Sequence, residues 1–255
     1  MKIHFLGTCA GTEPFPDRRH ACTVIEINDS LYWLDAGEGC SITGHLMGLD
    51  LLKIKRILIS HPHIDHTGGL ANLLWTIQKL SQRKKLTPNS IDLYTPLHDL
   101  TDAVFSFLKN AADGFKKNFE INVHEAEDGI LFDDGSLKVS AFHNEHIIDK
   151  SKREWISYSF LIEAENKKIV YSGDLKAYSE LDALIGEHCD ALIIETGHFG
   201  IDDVHEYLKN KSVDRVFFSH NGREILNFQK ESKEKVELYF EGRGSICEDK
   251  MTVEL

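Results

Sequence analysis

Hydrophobic and polar residues alternate in many short segments of this chain, which is the pattern of half-buried β-strands. Two of these segments flank Glu165, Asn166 and Lys167, and they predict a hairpin around those residues. The predicted strands are KIHFLG, CTVIEI, LYWLDAG, IKRILIS, IDLYT, INVHEA, GILF, LKVSAF, WISYSFLIEA, KKIVYSGD, DALIIE and VDRVFFS.

Other segments repeat their apolar residues with the spacing of one helix face. They predict helices at CSITGHLMGLDLL, GGLANLLWTIQKL, LTDAVFSFLKN, SELDALIGEH and IDDVHEYLKN. Strand-rich and mixed stretches alternate twice, and no low-complexity linker separates them. We therefore expect one domain over residues 1–255, with two β-rich halves packed together and helices outside.

Composition narrows the class of protein. The chain has 255 residues, of which 42% are hydrophobic, enough for a substantial core. No run approaches the roughly 18 apolar residues that span a bilayer, and the N-terminus lacks the features of a targeting signal. We therefore expect a cytoplasmic protein without a membrane partner.

The five cysteines are scattered and form no CxxC pair, which argues against a disulfide framework or a zinc knuckle.

The net charge of −12 disfavours extended nucleic-acid binding, because such binding depends on many contacts from Lys and Arg to phosphates. The dense basic cluster QRKKL, residues 82–86, ends a predicted helix, and we interpret it as a solvated helix terminus. A small or nucleotide-like substrate is compatible with this net charge. A homodimer is also compatible with it.

In the segment ILISHPHIDHTGGL, three histidines and an aspartate follow directly after a predicted strand. Pro62 and the glycines would also suit an ordinary polar loop. His61 and His63 straddle Pro62, so in an extended segment both point to the same side and can bind one cation. Asp65 and His66 follow a bend and would address a second cation. Imidazole and carboxylate ligands suit Zn²⁺, with Mn²⁺ or Fe²⁺ as alternatives.

Polar side chains also follow four other predicted strands. Any one of them could be a solvated loop residue, but their number favours strand ends that converge on one crevice. They are His143 and His146, then Asp174, then Glu195 and His198, and finally His220.

These motifs resemble those of the metallo-β-lactamase superfamily. HPHIDH matches its HxHxDH signature, and SGD, EH and FSH are similar to its later ligand motifs. MKIHFLGTCAGTEP, WLDAGEG and MTVEL resemble its opening, its Asp-Gly turn and its closing strand. The SGD and ETGH motifs favour the RNase-Z-like phosphodiesterase branch. The resemblance implies an α/β (α+β) fold, a four-layer αβ/βα sandwich of two mixed β-sheets flanked by helices.

The resemblance also implies a centre of two divalent metal ions, zinc being the preferred metal. Asp174 would bridge the two ions. His143 competes with His146 for one position, and we prefer His146 because the branch motif runs through Glu145. The implied ligands are His61, His63 and His146 for the first metal, and Asp65, His66 and His220 for the second.

The implied enzyme is a metal-dependent hydrolase that uses a metal-bridging hydroxide, preferably a phosphodiesterase acting on a small or nucleotide-like diester. Asp65 is a candidate catalytic residue as well as a ligand. Glu195 and His198 match the pair that supplies a proton to the leaving group, although His198 could simply cap the helix that follows. Asp35 would orient a ligand histidine or form a turn.

Three alternatives stay open. A glyoxalase-II-like thioester or lactone hydrolase shares the histidine motif. A tRNA 3′-processing endonuclease is disfavoured, because only about 28 residues separate His146 from Asp174, too few for a tRNA-gripping arm. Leu175 also stands where that branch usually has threonine. The third alternative is a non-catalytic metal-binding sensor or effector.

Overall fold

The chain folds into two compact units, each with its own β-sheet. The computed structural model describes residues 1–88, 90–111 and 114–255. Unit 1 comprises Met1–Gly7, Arg19–Ala126 and Asp249–Leu255, and unit 2 comprises Thr8–Arg18 and Glu127–Glu248. The single domain expected over residues 1–255 stays a prediction.

The elements follow one another in the order in which their patterns occur. The strands are β1 (Lys2–Gly7), β2 (Cys22–Ile27), β3 (Ser30–Leu34), β4 (Ile54–Leu58), β5 (Ile91–Thr95), β6 (Ile121–Glu125), β7 (Gly129–Asp133), β8 (Lys138–His143), β9 (Ile148–Asp149), β10 (Glu154–Trp155), β11 (Tyr158–Ala164), β12 (Lys167–Tyr171), β13 (Cys189–Thr196), β14 (Val213–Asn221), β15 (Gly244–Ile246) and β16 (Met251–Glu254). The helices are α1 (Cys40–Leu46), α2 (Ile64–Thr67), α3 (Leu70–Lys84), α4 (His98–Asn110), α5 (Asp182–Ile185), α6 (Ile201–Leu208), α7 (Arg223–Asn227) and α8 (Gln229–Phe240), with 3₁₀ turns at Leu51–Lys53 and Tyr178–Leu181.

Unit 1 is built on a mixed sheet. Within its described residues the strand order is β16-β1-β2-β3-β4-β5-β6. The pairs from β16 to β3 are antiparallel, and those from β3 to β6 are parallel. Helix α3 contributes Leu70, Leu73, Leu74 and Ile77 to the buried cluster that contains Trp33. These four positions recur at the spacing of one apolar helix face, so α3 forms where the pattern predicts it.

Unit 2, all of whose residues are described, has a second mixed sheet in the order β15-β14-β13-β12-β11-β8-β7. The pairs from β12 to β15 are parallel. Strand β13 is buried along nearly its whole length, as expected for a strand inside a parallel sheet. The carboxyl ends of parallel strands lie at one edge, which is where α/β sheets place functional residues.

The predicted strands are confirmed, including the hairpin of β11 and β12. Its turn residues Glu165 and Asn166 both have positive φ, of 50° and 59°. Two adjacent left-handed residues match the right-handed twist of the paired strands.

Two predicted helices are shorter than expected. The helix predicted from Cys40 onwards ends at Leu46, because Gly48 adopts a φ of 83° that terminates it. Asp50 then caps a separate 3₁₀ turn. Likewise SELDALIGEH forms a 3₁₀ turn followed by the four residues of α5. No pattern predicted α7, α8 or β15.

None of the helices in the described ranges is both long enough and apolar enough to cross a bilayer.

Two leucines of unit 2 test the assignment of its core. Leu192 on β13 is fully buried, whereas Leu238 on α8 is 74% exposed. We predict that Leu192→Ala lowers the free energy of unfolding by about 2–5 kcal/mol, because it leaves a cavity among packed side chains. Leu238→Ala, the matched control, should change it by less than about 0.5 kcal/mol. Urea unfolding followed by circular dichroism measures both, and equal losses would contradict the assignment.

Candidate metal centre

The loop after β4 brings two histidines together. His61 is buried and His63 lies exposed at the N-cap of α2. Nε2 of His61 is 3.1 Å from Nδ1 of His63. Two nitrogen ligands of one tetrahedral zinc ion, each about 2.0–2.1 Å from it, lie roughly 3.3 Å apart. The two imidazoles are therefore spaced like a pair of ligands to one cation.

Asp35 orients a third histidine of this loop. One carboxylate oxygen of Asp35 accepts a hydrogen bond from the backbone N–H of Ser60 at 2.7 Å. The other accepts from the Ser60 hydroxyl and from Nδ1 of His66, both at 2.8 Å. This contact fixes the proton on Nδ1, so Nε2 of His66 is left as an acceptor, 3.5 Å from the Asp65 carboxylate. A carboxylate behind an imidazole is the usual support of a metal-binding histidine.

Glycines allow the loops around Asp35 to approach closely. A Cβ on Gly69 would lie 2.2 Å from the carbonyl oxygen of Gly37. A Cβ on Gly37 would lie 2.4 Å from the carbonyl oxygen of Asp65. No side chain fits at either distance, so Gly37 and Gly69 are required by the close packing of these loops.

In unit 2, Asp174 faces two histidines with its two oxygens. It follows β12 and is almost completely buried. Its Oδ2 lies 3.7 Å from Nε2 of His146, and its Oδ1 lies 3.3 Å from Nδ1 of His220. A carboxylate that presents a different oxygen to each of two imidazoles has the arrangement expected of a bridging ligand. This is the role that the resemblance implies for Asp174.

The two candidate histidines after β8 lie in different surroundings. His143 is exposed, and its Nδ1 pairs with the Asp128 carboxylate at 2.5 Å. His146 is only partly exposed and lies against Asp174. The structure thus brings His146, and not His143, into the cluster, while its role as a ligand stays a prediction.

The buried carboxylate of Glu195 pairs with the exposed imidazole of His198. Glu195 accepts hydrogen bonds from the backbone N–H groups of Leu175, Gly197 and His198, at 2.9 to 3.1 Å. Nδ1 of His198 donates a further bond at 3.0 Å. Burial opposes ionisation of Glu195, but the hydrogen bond from His198 and the imidazole of His220, 3.7 Å away, outweigh it, and the pKa of Glu195 is lowered. The bond to Glu195 raises the pKa of His198.

His220, the penultimate residue of β14, has a backbone conformation that requires support. Its φ is +47°, in the left-handed region that non-glycine residues rarely adopt. Gly197 leaves room for the ring, because a Cβ at residue 197 would lie 2.6 Å from Nδ1 of His220. The donor atoms of Asp174, Glu195, His198 and His220 all lie within 4.8 Å of one another.

Sequence reasoning missed the buried residue that follows His220. The side chain of Asn221 accepts a hydrogen bond from the Thr196 hydroxyl and donates one to the carbonyl of Cys247, both at 3.1 Å. Its backbone N–H donates to the carbonyl of Thr8 at 2.6 Å. The signal in the sequence is an amide residue, Asn221, at the end of the apolar run VFFS and next to a candidate ligand histidine.

Both clusters have the chemistry of a divalent-metal site. Their donors are imidazole nitrogens and carboxylate oxygens, the ligands that zinc and its neighbours accept. Most of these donors are buried, where carboxylates without a compensating cation or donor are costly. The residues present therefore fit divalent metal ions.

Comparison with known proteins identifies the relatives of this chain. The family model described as "Anti-Pycsar protein Apyc1" matches residues 1–239. Ribonuclease Z of Methanothermobacter thermautotrophicus is 29% identical over 150 residues, which are 58% of this chain and 45% of that protein. The chain thus spans less than half the length of this relative.

Solved structures share the fold over the whole chain. Human tRNase Z, short form, superposes with a TM-score of 0.75 at 22% identity, over 100% of this chain and 99% of that one. The metallo-β-lactamase fold protein YhfI from Bacillus subtilis has a TM-score of 0.76 at 15% identity, with coverage of 100% and 99%. The expected metallo-β-lactamase fold, with two mixed sheets flanked by helices, is confirmed.

Asp35 provides a test of the metal centre. We predict that Asp35→Asn lowers the affinity for Zn²⁺ by about 10- to 100-fold, because the amide no longer fixes the tautomer of His66. Competition with a fluorescent chelator measures the affinity. Asp92→Asn on β5, which loses a carboxylate paired with Arg56 of β4, is the matched control and should leave the affinity unchanged. Equal affinities in the two variants would remove Asp35 from the centre.

Proposed function

The chain belongs to the family of the anti-Pycsar protein Apyc1, and from this premise we propose that it is a metal-dependent hydrolase of a small, nucleotide-like phosphodiester. The observation that carries the proposal is the division of the Asp174 oxygens between His146 and His220. Such a carboxylate suits a pair of metal ions. The ribonuclease named above, a relative over part of its length, supports phosphodiester chemistry.

The proposed ligands are those that the resemblance implies, and we propose two Zn²⁺ ions as the metals. Bound divalent ions supply a water of lowered pKa and neutralise charge on the phosphoryl oxygens. The proposed ligand residues are His61, His63, Asp65, His66, His146, Asp174 and His220.

Two residues of the chain, Glu195 and His198, are proposed to transfer a proton to the leaving group. Nδ1 of His198 donates to Glu195, so Nε2 is the atom that can give a proton to the leaving oxygen. The carboxylate of Glu195 holds the imidazole in one orientation and favours its protonated form. Asp65, buried beside His66, is proposed to orient the attacking water as well as to bind metal.

Ribonuclease Z activity is the second candidate, and sequence similarity to Ribonuclease Z favours it. The net charge of −12 and the short connection between His146 and Asp174 favour a smaller substrate.

A substrate panel tests the proposed function. We predict that the zinc-loaded protein hydrolyses bis(p-nitrophenyl) phosphate and small nucleotide diesters faster than S-lactoylglutathione or precursor tRNA. The panel measures kcat/KM for each, with chelator-treated protein as the control. Preference for S-lactoylglutathione would indicate a thioesterase, and preference for precursor tRNA a tRNA-processing enzyme. A metal-loaded protein inert towards all four would support a sensor.

Two histidine substitutions separate metal binding from proton transfer. We predict that His63→Ala removes both metal and activity, because it deletes a ligand. His198→Ala should keep the metal content and lower kcat by about 100-fold, as expected for loss of a general acid. His188→Ala, which removes a histidine of similar exposure bonded to Ser212, is the control for unit 2. Wild-type turnover in His198→Ala would exclude that residue from the mechanism.

A further inference from the structure

Unit 2 contains a cavity to which none of the candidate metal ligands contributes. The cavity encloses about 170 Å³, and its lining residues belong to α6, α8, the first half of β14 and the segments beside them. Four apolar side chains that line it are each at most 8% exposed: Leu208, Val213, Val216 and Phe240. The cavity therefore has an apolar base that lies within one compact unit.

Two stacked rings form a wall of this cavity. The imidazole of His205 on α6 lies over the phenol ring of Tyr239 on α8, with the ring centres 4.2 Å apart and the planes inclined by 22°. The same imidazole meets the ring of Phe240 edge to face, with centres 5.9 Å apart. An apolar protein cavity of roughly 150 Å³ is large enough to bind benzene. The volume and the walls of this cavity therefore suit a single flat ring.

The charged residues that line the cavity are all cationic, although the chain has a net charge of −12. Lys209, Lys211 and Arg243 line it, and no carboxylate is found among the described lining residues. Lys211 pairs with Asp182 at 2.8 Å, and Lys209 pairs with Glu206. Both lysines thus have a carboxylate partner already, which leaves Arg243 as the cation available to a ligand.

Two carboxylates of α6 lie close enough to His205 to sense its charge, and both are engaged within the chain. Asp202 accepts hydrogen bonds from Nζ of Lys235 at 2.6 Å and from the hydroxyl of Tyr239 at 2.8 Å. Glu206 pairs with one of the two lysines that line the cavity. Their charges are therefore compensated, and neither side chain lines the cavity.

Arg243 is fixed beside the cavity through its backbone and its side chain. Its N–H donates to the carbonyl of Phe240 at 2.9 Å, and its carbonyl accepts from the N–H of Val216 at 2.8 Å. Nη1 of its guanidinium donates to the carbonyl of Val213 at 3.0 Å. In residues 1–88, 90–111 and 114–255, no carboxylate forms an ion pair with this guanidinium. A guanidinium held in this way keeps further N–H donors for a planar anion and loses little conformational entropy on binding it.

We propose that this cavity is a binding site for a small organic anion. The ligand has one flat apolar ring, which lies against His205 and the buried apolar side chains. It also has one acidic group, a carboxylate, sulfonate or phosphate, which Arg243 binds. The volume limits the size of the ligand, because pockets for drug-sized ligands and cofactors enclose roughly 300–1,000 Å³. This inference goes beyond the proposed function and does not depend on it, since no candidate metal ligand lines the cavity.

Calorimetric titration of the zinc-loaded protein with benzenesulfonate tests the proposal, because this probe joins one ring to a permanent negative charge. We expect saturable binding to the wild-type protein. Arg243→Gln should weaken it about tenfold, as expected when a hydrogen bond to a charged group is lost. Arg83→Gln removes the same charge from the last turn of α3, outside the cavity, and should leave the affinity unchanged.

Two further probes separate the ring from the charge. Sulfate carries the charge without a ring, and benzyl alcohol carries a ring without a charge. Each should bind at least about tenfold more weakly than benzenesulfonate, because each makes only one of the two contacts. Leu208→Phe fills part of the cavity, keeps Arg243 and should also weaken the binding of benzenesulfonate. Circular dichroism checks that this variant is folded.

Three results would overturn the proposal. One is benzenesulfonate binding that is absent from the wild-type protein or equal in wild type and Arg243→Gln. Another is sulfate or benzyl alcohol binding as tightly as benzenesulfonate. The third is binding that disappears after chelator treatment, which would place the anion at the metal centre. Val213 lies seven positions before His220 on β14, about 23 Å along an extended strand. Binding is measured without turnover, so its absence is distinguishable from a failure to hydrolyse phosphodiesters.

Discussion

A carboxylate removed from water is stable only where donors or cations surround it, and this constraint governs both candidate clusters. Asp35, Asp174 and Glu195 are each at most 1% exposed. Asp35 is compensated by Ser60 and His66, and Glu195 by three backbone N–H groups and an imidazole. The loops after the strands adopt the conformations that bring these donors to the carboxylates. Replacing a donor therefore affects a ligand position as well as local stability.

The sequence allowed most of the sheet architecture to be predicted, because alternation and apolar runs are local signals. The end of α1 required knowledge of one left-handed glycine, Gly48, which a periodic pattern ignores. Helix α8 was missed because exposed residues such as Leu238 interrupt its apolar periodicity. The boundaries of these elements depend on contacts between residues far apart in the chain, which a local pattern does not contain.

The candidate residues were also predictable in part. Histidines and carboxylates that follow apolar strands stand out in any sequence, and the HxHxDH segment gave the resemblance its specificity. The different surroundings of His143 and His146 depend on Asp128, fifteen positions before His143, a pairing that no spacing rule includes. Asn221 forms hydrogen bonds to Thr8, more than 200 residues earlier in the chain, and to Cys247, 26 residues later.

The pairing of β1 with β16, in which Lys2 lies opposite Glu254, has a consequence during translation. Every residue of unit 2 is synthesised before residues 251–254, yet the sheet of unit 1 is incomplete until those residues have been added. Until β16 emerges, β1 is an unprotected edge strand with unpaired backbone groups, the kind of surface on which nascent chains associate wrongly. The unit that is begun first is thus completed last.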